Sequence, residues 1–386
     1  MRFKEFSTSY NNYKLKECCK LITKGTTPHE FTSSGINFVK IDSINGVLLD
    51  NKKFSFISEK THIGELKRSI LKENDILLAI AGATVGKHCI VQKKDLPANT
   101  NQALSIIRTN DKLLPKYLLS IFDTSFIPDY IRMVCASSAQ PNLNLEQVGN
   151  MNLFIPTIQE QIRIVKFMDL INNQIDTQSK IIEDLELFKK GIWNYIYLTK
   201  SSDWKCVKLS DILCERKDFA LKGDEFIHAT LSKDGIFAKT DRYDRDFLVT
   251  NDEKEYKITR LNDICYNPAN LKFGVICLNK FGDAIFSPIY VTYIVKNDFI
   301  PSFVELILTS SRFLKYIRKY EQGTVYERMA VNSEDFLKGE ILIPIKDKQK
   351  AIADYFDILD LKIKKEKDIL ELYKKQKAYL LKNMFI

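Results

Sequence analysis

The sequence has no Cys-x-x-Cys pair: its eight cysteines stand apart at 18, 19, 89, 135, 206, 214, 265 and 277, with only 18 and 19 adjacent. The four histidines (29, 62, 88, 228) are dispersed, and only His88 adjoins a cysteine, so no metal-binding cluster is expected. Apolar runs never approach the roughly 18 residues that a membrane span needs. The opening "MRFKEFSTSYNNYKLKECCK" scatters charge where an export signal would be apolar. These absences point to a cytoplasmic chain with reduced thiols and no membrane partner. A phosphate-binding loop is missing too. In "GATVGK" only Ala83, Thr84 and Val85 separate Gly82 from Gly86, and His88 follows Lys87 where a hydroxyl residue would hold magnesium. Acidic residues are in deficit, 49 against 58 lysines and arginines, and the net charge of +9 suits a polyanionic partner without requiring one.

What is present is a repeat. "ENDILLAIAGATVGKHCIV" from Glu73 aligns with "LNDICYNPANLKFGVICLN" from Leu261 at an offset of 188, placing Asp75 on Asp263, Gly86 on Gly274 and Cys89 on Cys277. The same offset sets Asn144 on Asn332, Pro156 on Pro344 and Gln161 on Gln349. Each copy begins with short β-branched and aromatic runs such as "GINFVKI", "DILLAIA", "KFGVICL" and "IYVTYIV", punctuated by turns. These predict an α/β (α+β) fold class, with two strand-rich domains in tandem. One helix is expected in "PKYLLSIFDTSFIPDYIRMV" and one in "PSFVELILTSSRFLKYIRKY".

After Pro156 and Pro344 the pattern becomes helical for about 40 residues without proline. The first stripe runs Ile171, Ile175, Gln178, Ile182, Leu185, Lys189, Ile192, Ile196, and the second Leu359, Ile363, Glu366, Leu370, Tyr373, Lys377, Leu380, Met384. Spacings of three and four predict two long helices that form an antiparallel coiled coil. Facing positions that sum to 555 would pair Lys189 with Glu366 and Gln178 with Lys377, leaving no polar seam residue unpartnered. The alternative is that each helix packs along its own domain. The expected order is domain 1 over 1–155, a helix over 156–200, domain 2 over 201–343 and a helix over 344–386.

This organisation, with "ITKGTTP" at 22–28, "DILLAIAGATVGK", "IPTIQEQ" before the first helix and "KKGIW" at its end, resembles the DNA-specificity subunit of type I restriction-modification enzymes. "YNPANLKFG" followed by "FSPIY" resembles a variant of that family's recognition domains. The second copy departs from the first in lacking "KGTTP" and in carrying Asp347 and Lys348 where the first has Gln159 and Glu160. The resemblance implies a subunit without catalysis of its own. Two target-recognition domains would each read half of a bipartite sequence in double-stranded DNA, and the helices would set the spacing. It further implies two methylation subunits that use S-adenosylmethionine, and restriction subunits that use ATP and Mg. The stripe from Ile171 to Ile196 spans about 38 Å at a helical rise, close to one turn of B-DNA. A fused enzyme carrying its own methyltransferase is the rival reading. "SPIY" at 287–290 lacks the second proline of the amino-methyltransferase motif, and no cofactor loop precedes it.

Loops rich in cations and amides are the candidate DNA contacts, because amides and guanidinium groups match base edges while lysines and hydroxyls match phosphates. In the first domain these are Lys24, Thr26, Thr27, Lys87, His88, Asn99, Asn101, Gln102, Gln140 and Asn142; in the second, Arg242, Tyr243, Arg245, Asn267, Asn270, Lys272, Tyr326 and Arg328. A solvated turn is the competing reading for each.

Overall fold

In the apolar run of the first copy, neighbouring side chains go to different cores. Ile76–Ala79 is the third strand of an antiparallel sheet ordered Cys19–Lys24, Leu104–Thr109, Ile76–Ala79, His88–Ile90. Side chains alternate across a strand. Ile76, Leu78 and Ile80 therefore join a core with Tyr117, Leu118 and Phe122, while Leu77 and Ala79 join Val39, Ile44 and Ala98. The computed structural model describes residues 2–135, 141–221, 226–239, 255–322 and 329–385.

Contacts divide the chain into two units, Met1–Ile181 with Glu366–Ile386, and Ile182–Lys365. The second unit contains the corresponding sheet, ordered Leu213–Glu215, Val291–Val295, Ile264–Tyr266, Ile276–Leu278. Register is preserved through the repeat: Ile76 pairs with Ile90 and Ile264 with Leu278, while Leu77 pairs with Cys89 and Cys265 with Cys277. Asn74 and Asn262, the residues before the repeated aspartates, both lie in the left-handed region at φ 70°. The accessory sheets differ. Among the described residues, the first unit has three strands, Ser55–Ile57, Ile36–Val39 and Ala98–Thr100, where the second has five.

Each predicted domain helix is in fact two. The first copy has Pro115–Phe122 and Phe126–Val134, the second Pro301–Leu308 and Ser311–Ile317. Pro128 has no N–H to donate and fits only the first turn of a new helix. In the second copy the Ser310 hydroxyl accepts from the Phe313 N–H at 3.2 Å and caps the restart.

The long helices are Ile158–Leu198 and Lys346–Met384. Ile175, Gln178, Ile182, Leu185, Lys189 and Ile192 on the first, and Ile363, Glu366, Leu370, Tyr373, Lys377 and Leu380 on the second, are all buried or half-buried. The helices run antiparallel in each unit, but the register differs from the expected one. In the first unit the Gln178 amide donates to a Glu366 carboxylate oxygen at 2.6 Å, and Lys377 leaves the seam for Asp123 at 3.4 Å. In the second unit Lys189 pairs with Asp360 rather than Glu366, and Trp193 packs edge-on against Phe356 at 5.8 Å. Facing positions thus sum to 544 or 549, not 555. The cause is that the polar seam residues do not need each other. The long lysine stems reach acids off the seam, and the indole of Trp193, seated on Phe356 and Phe303, fixes the packing.

A repeated glutamine fastens each long helix to its domain. The Gln161 amide is fully buried; its oxygen accepts from the Leu114 N–H at 2.9 Å, and its nitrogen donates to the carbonyls of Lys112 and Pro156 at 2.9 and 3.0 Å. Gln349 accepts from the Ile300 N–H at 3.1 Å and donates to Pro344 at 2.9 Å. Leu114 and Ile300 precede Pro115–Phe122 and Pro301–Leu308, so one side chain ties the starts of two helices.

Candidate nucleic-acid interface

Gly25 lies flat against strand Ala98–Thr100. A Cβ there would stand 1.9 Å from the Thr100 carbonyl oxygen, so glycine alone permits the approach. The next residue, Thr26, donates its N–H to that oxygen at 3.1 Å. This contact brings "KGTT" beside residues 101 and 102, and the Thr27 hydroxyl donates to the Gln102 side-chain oxygen. Lys24, Thr27 and Gln102 are exposed, with Thr26 and Asn101 half-buried. Five of the predicted residues therefore share one surface of the first domain.

A sixth polar group there, Arg68, was not singled out in the sequence. Its guanidinium donates to the Thr26 hydroxyl at 2.9 Å from the short 3-10 turn Lys67–Ser69. The only sequence signal is the pair "KR" within "LKRSI", which reads equally as a solvated turn. Hydroxyls, a primary amide and a guanidinium on one rigid surface supply donors and acceptors for base edges and phosphates alike.

Two predicted residues are internal instead. Asn99 is fully buried, its amide donating to the Leu66 carbonyl at 2.9 Å and the Ser69 hydroxyl at 3.1 Å while its oxygen faces His62 Nδ1 at 2.5 Å. It sits within a strand covered on both sides, so its amide is spent inside the domain. His88 uses both ring nitrogens, Nδ1 on the Gly86 carbonyl at 2.9 Å and Nε2 on Asp123 at 3.1 Å. Burial pushes the Asp123 carboxyl up, but the His88 hydrogen bond and the Lys377 ammonium outweigh it and hold it below its ordinary value. Lys87 is half-buried in the turn, and Gly86 takes a left-handed φ of 93°.

In the second unit, Asn267 caps the 3-10 turn Pro268–Phe273 by accepting from the Ala269 N–H at 3.1 Å, and the Asn270 carbonyl accepts from Val275. Lys272 is exposed, its ammonium 5.2 Å from the centre of the exposed Phe273 ring. Gly274, at φ 82°, ends the turn as Gly86 does in the first copy. Within "SPIY", the half-buried Tyr290 ring packs edge-on against Phe286 at 5.4 Å, on the flank of a small core.

Residues 8–187 match the family model described as the type I restriction modification DNA specificity domain. The MjaVIII specificity subunit of Methanocaldococcus jannaschii is 25% identical over 346 residues, covering 82% of this chain and 80% of its own. The putative MjaX specificity subunit from the same organism is 24% identical over 95% of this chain and 91% of its own. The chain is thus similar to type I specificity subunits over most of its length, and residues 8–187 carry the match to the DNA-specificity domain. Two solved structures share the fold of this chain. A type I restriction-modification S subunit from M. genitalium has a TM-score of 0.61 at 13% identity, covering 100% of this chain and 99% of that one. A chain from work on complex assembly and conformational transition of the type I R-M system has a TM-score of 0.58 at 12% identity, covering 98% of each.

Of the remaining residues predicted to contact DNA, Asn142 is exposed. Gln140, Arg242, Tyr243, Arg245, Tyr326 and Arg328 lie outside the described residues. Among the described residues no group of three or more His, Cys, Asp or Glu is placed to hold a metal, and no helix is long and apolar enough to cross a membrane.

Proposed function

We propose that the two recognition domains, 1–155 and 201–343, each read one half of a bipartite DNA sequence, and that the paired helices over 156–200 and 344–386 fix the distance between the halves. The chain itself performs no catalysis. S-adenosylmethionine, ATP and Mg belong to partner chains: two methylation subunits docked on the helices, and restriction subunits held through them. The observation that carries this reading is the repeat. One sheet with one register occurs twice, yet the polar loops beside it differ: "KGTT" with Gln102 in the first copy, "NPANLK", of which Lys272 is exposed, in the second. A duplicated scaffold with divergent polar loops suits two different half-sites.

Docking draws support from the outer faces of the long helices. Leu187, Tyr195 and Leu198 on the first and Ile358, Leu361 and Leu372 on the second are more than half exposed. Apolar side chains of that size on a solvent face mark a surface for another protein. Co-expression with the methylation subunit, followed by mapping of methylated adenines, tests the reading. A bipartite motif is expected. Methylation without one would overturn it, as would a chain that assembles yet retains no DNA.

A further inference from the structure

We propose that Arg68 reads one base pair of the half-site assigned to the first domain, by donating to a guanine edge in the major groove, and that Asn99 is the residue that positions it. The inference rests on the DNA-reading function proposed above and goes further by assigning one contact.

Three segments converge on one buried strand, Ala98–Thr100. Along one side, the Leu71 N–H donates to the Ala98 carbonyl at 2.9 Å and Ile70 forms a β-bridge with Asn99, which straps the chain carrying Arg68 to the strand. Further along the same edge, the one opposite Ile36–Val39, the Thr100 carbonyl accepts from the Thr26 N–H and has Gly25 pressed against it. Gln102 follows directly in the chain. The strand therefore sets the spacing of Arg68, Thr26, Thr27 and Gln102.

Asn99 does more than fill space. Its amide nitrogen holds the Leu66 carbonyl and the Ser69 hydroxyl, the two residues that bracket Lys67 and Arg68. Its oxygen is fastened by the His62 ring. A fully buried amide with every bond used is costly to displace, a degree of fixing that a solvated loop does not need. Arg68, by contrast, is exposed, and among the described residues no carboxylate pairs with it. The Glu65 carboxylate has His29 Nε2 at 3.7 Å, and Lys24 and Lys67 add positive charge. One guanidinium N–H is spent on Thr26, which leaves enough of the planar fork to meet guanine O6 and N7 together. A phosphate contact needs no such aim, because a lysine on a loose turn suffices.

The test uses the full chain with its methylation subunit and maps methylated adenines for wild type, Arg68→Ala, Arg68→Lys, Asn99→Ala and the double variant. Arg68→Ala should relax one position, in one half of the motif only, with discrimination there falling about 5- to 150-fold. Arg68→Lys should relax the same position, since it retains the charge and loses the fork. Asn99→Ala should do likewise and add nothing to Arg68→Ala in specificity, whatever it does to melting. Ser69→Ala, which removes one Asn99 partner, replaces Asn99→Ala if that variant fails to fold. An unchanged motif in Arg68→Ala overturns the proposal, and so does a uniform loss across all sequences, the mark of a phosphate contact. A wild-type complex without any bipartite motif would instead remove the function reading on which the proposal stands.

Discussion

The two halves attach their long helices through the same glutamine but through opposite charges. In the first, the buried Glu160 on the helix accepts two hydrogen bonds from Arg2 at 2.7 and 2.6 Å. In the second, the helix supplies the cation: Lys348 reaches Asp203 at 3.4 Å and the Ser201 hydroxyl at 2.7 Å. The glutamine bonds to backbone, which the repeat preserves, whereas the ion pair depends on side chains that have diverged. The comparison teaches that the joint is specified by backbone geometry and that its charges were free to reverse. The reversal also explains the apparent mismatch of "IQEQ" with "KDKQ": each is locally paired.

The comparison can be pressed hardest at the repeated aspartates. Asp75 is fully buried and accepts two hydrogen bonds from Arg108 at 2.7 Å, while Asp263 accepts two from Arg216 at 2.7 and 3.0 Å. Arg216 also has Asp218 at 2.9 Å, so it retains a partner when Asp263 is lost. Asp75→Ala should therefore cost about 3–5 kcal/mol by stranding a partly buried cation, and Asp263→Ala clearly less. Urea unfolding with segment-resolved hydrogen exchange measures both; equal losses, or the reverse order, would break the argument.

Removing the glutamine should have a smaller effect. Gln161→Ala leaves one N–H and two carbonyls short of a partner, and Gln349→Ala one of each. A cost of about 1–3 kcal/mol is expected for the first and the lower end of that range for the second. Faster amide exchange over 158–164 than over 346–352 in the respective variants checks the difference.

The smallest effect belongs to the second ion pair. Lys348 and Asp203 are both well exposed, and Asp203→Asn should leave the melting midpoint nearly unchanged. A loss comparable to that of Gln349→Ala would mean that the charge, not the backbone, holds the joint.

Much of this architecture was legible because the repeat imposes consistency. The aligned Asp, Gly, Pro and Gln marked two copies of one domain, and spacings of three and four along Ile175, Ile182 and Ile363 marked a buried stripe. The register was not legible, because it is set by residues outside the stripe: Trp193 against Phe356, Asp360 beneath Lys189, and Asp123 from a domain helix. At the interface, Gln102 and Asn99 stand three residues apart in "NTNQ" and look alike, yet one faces solvent and the other the interior. Arg68 went unnoticed because its significance arises only when Thr26, 42 residues away, is brought beside it.

Because Leu380, Leu381 and Met384 share a core with Tyr117, Met168 and Ile171, the domain made first on the ribosome is finished last. Its apolar wall around Tyr117 stays open to water while the whole second domain is synthesised, and closes only once residues 380–384 emerge. The nascent chain therefore carries an unfilled core throughout synthesis of the second domain, so chaperone demand falls on the first domain until residues 380–384 arrive.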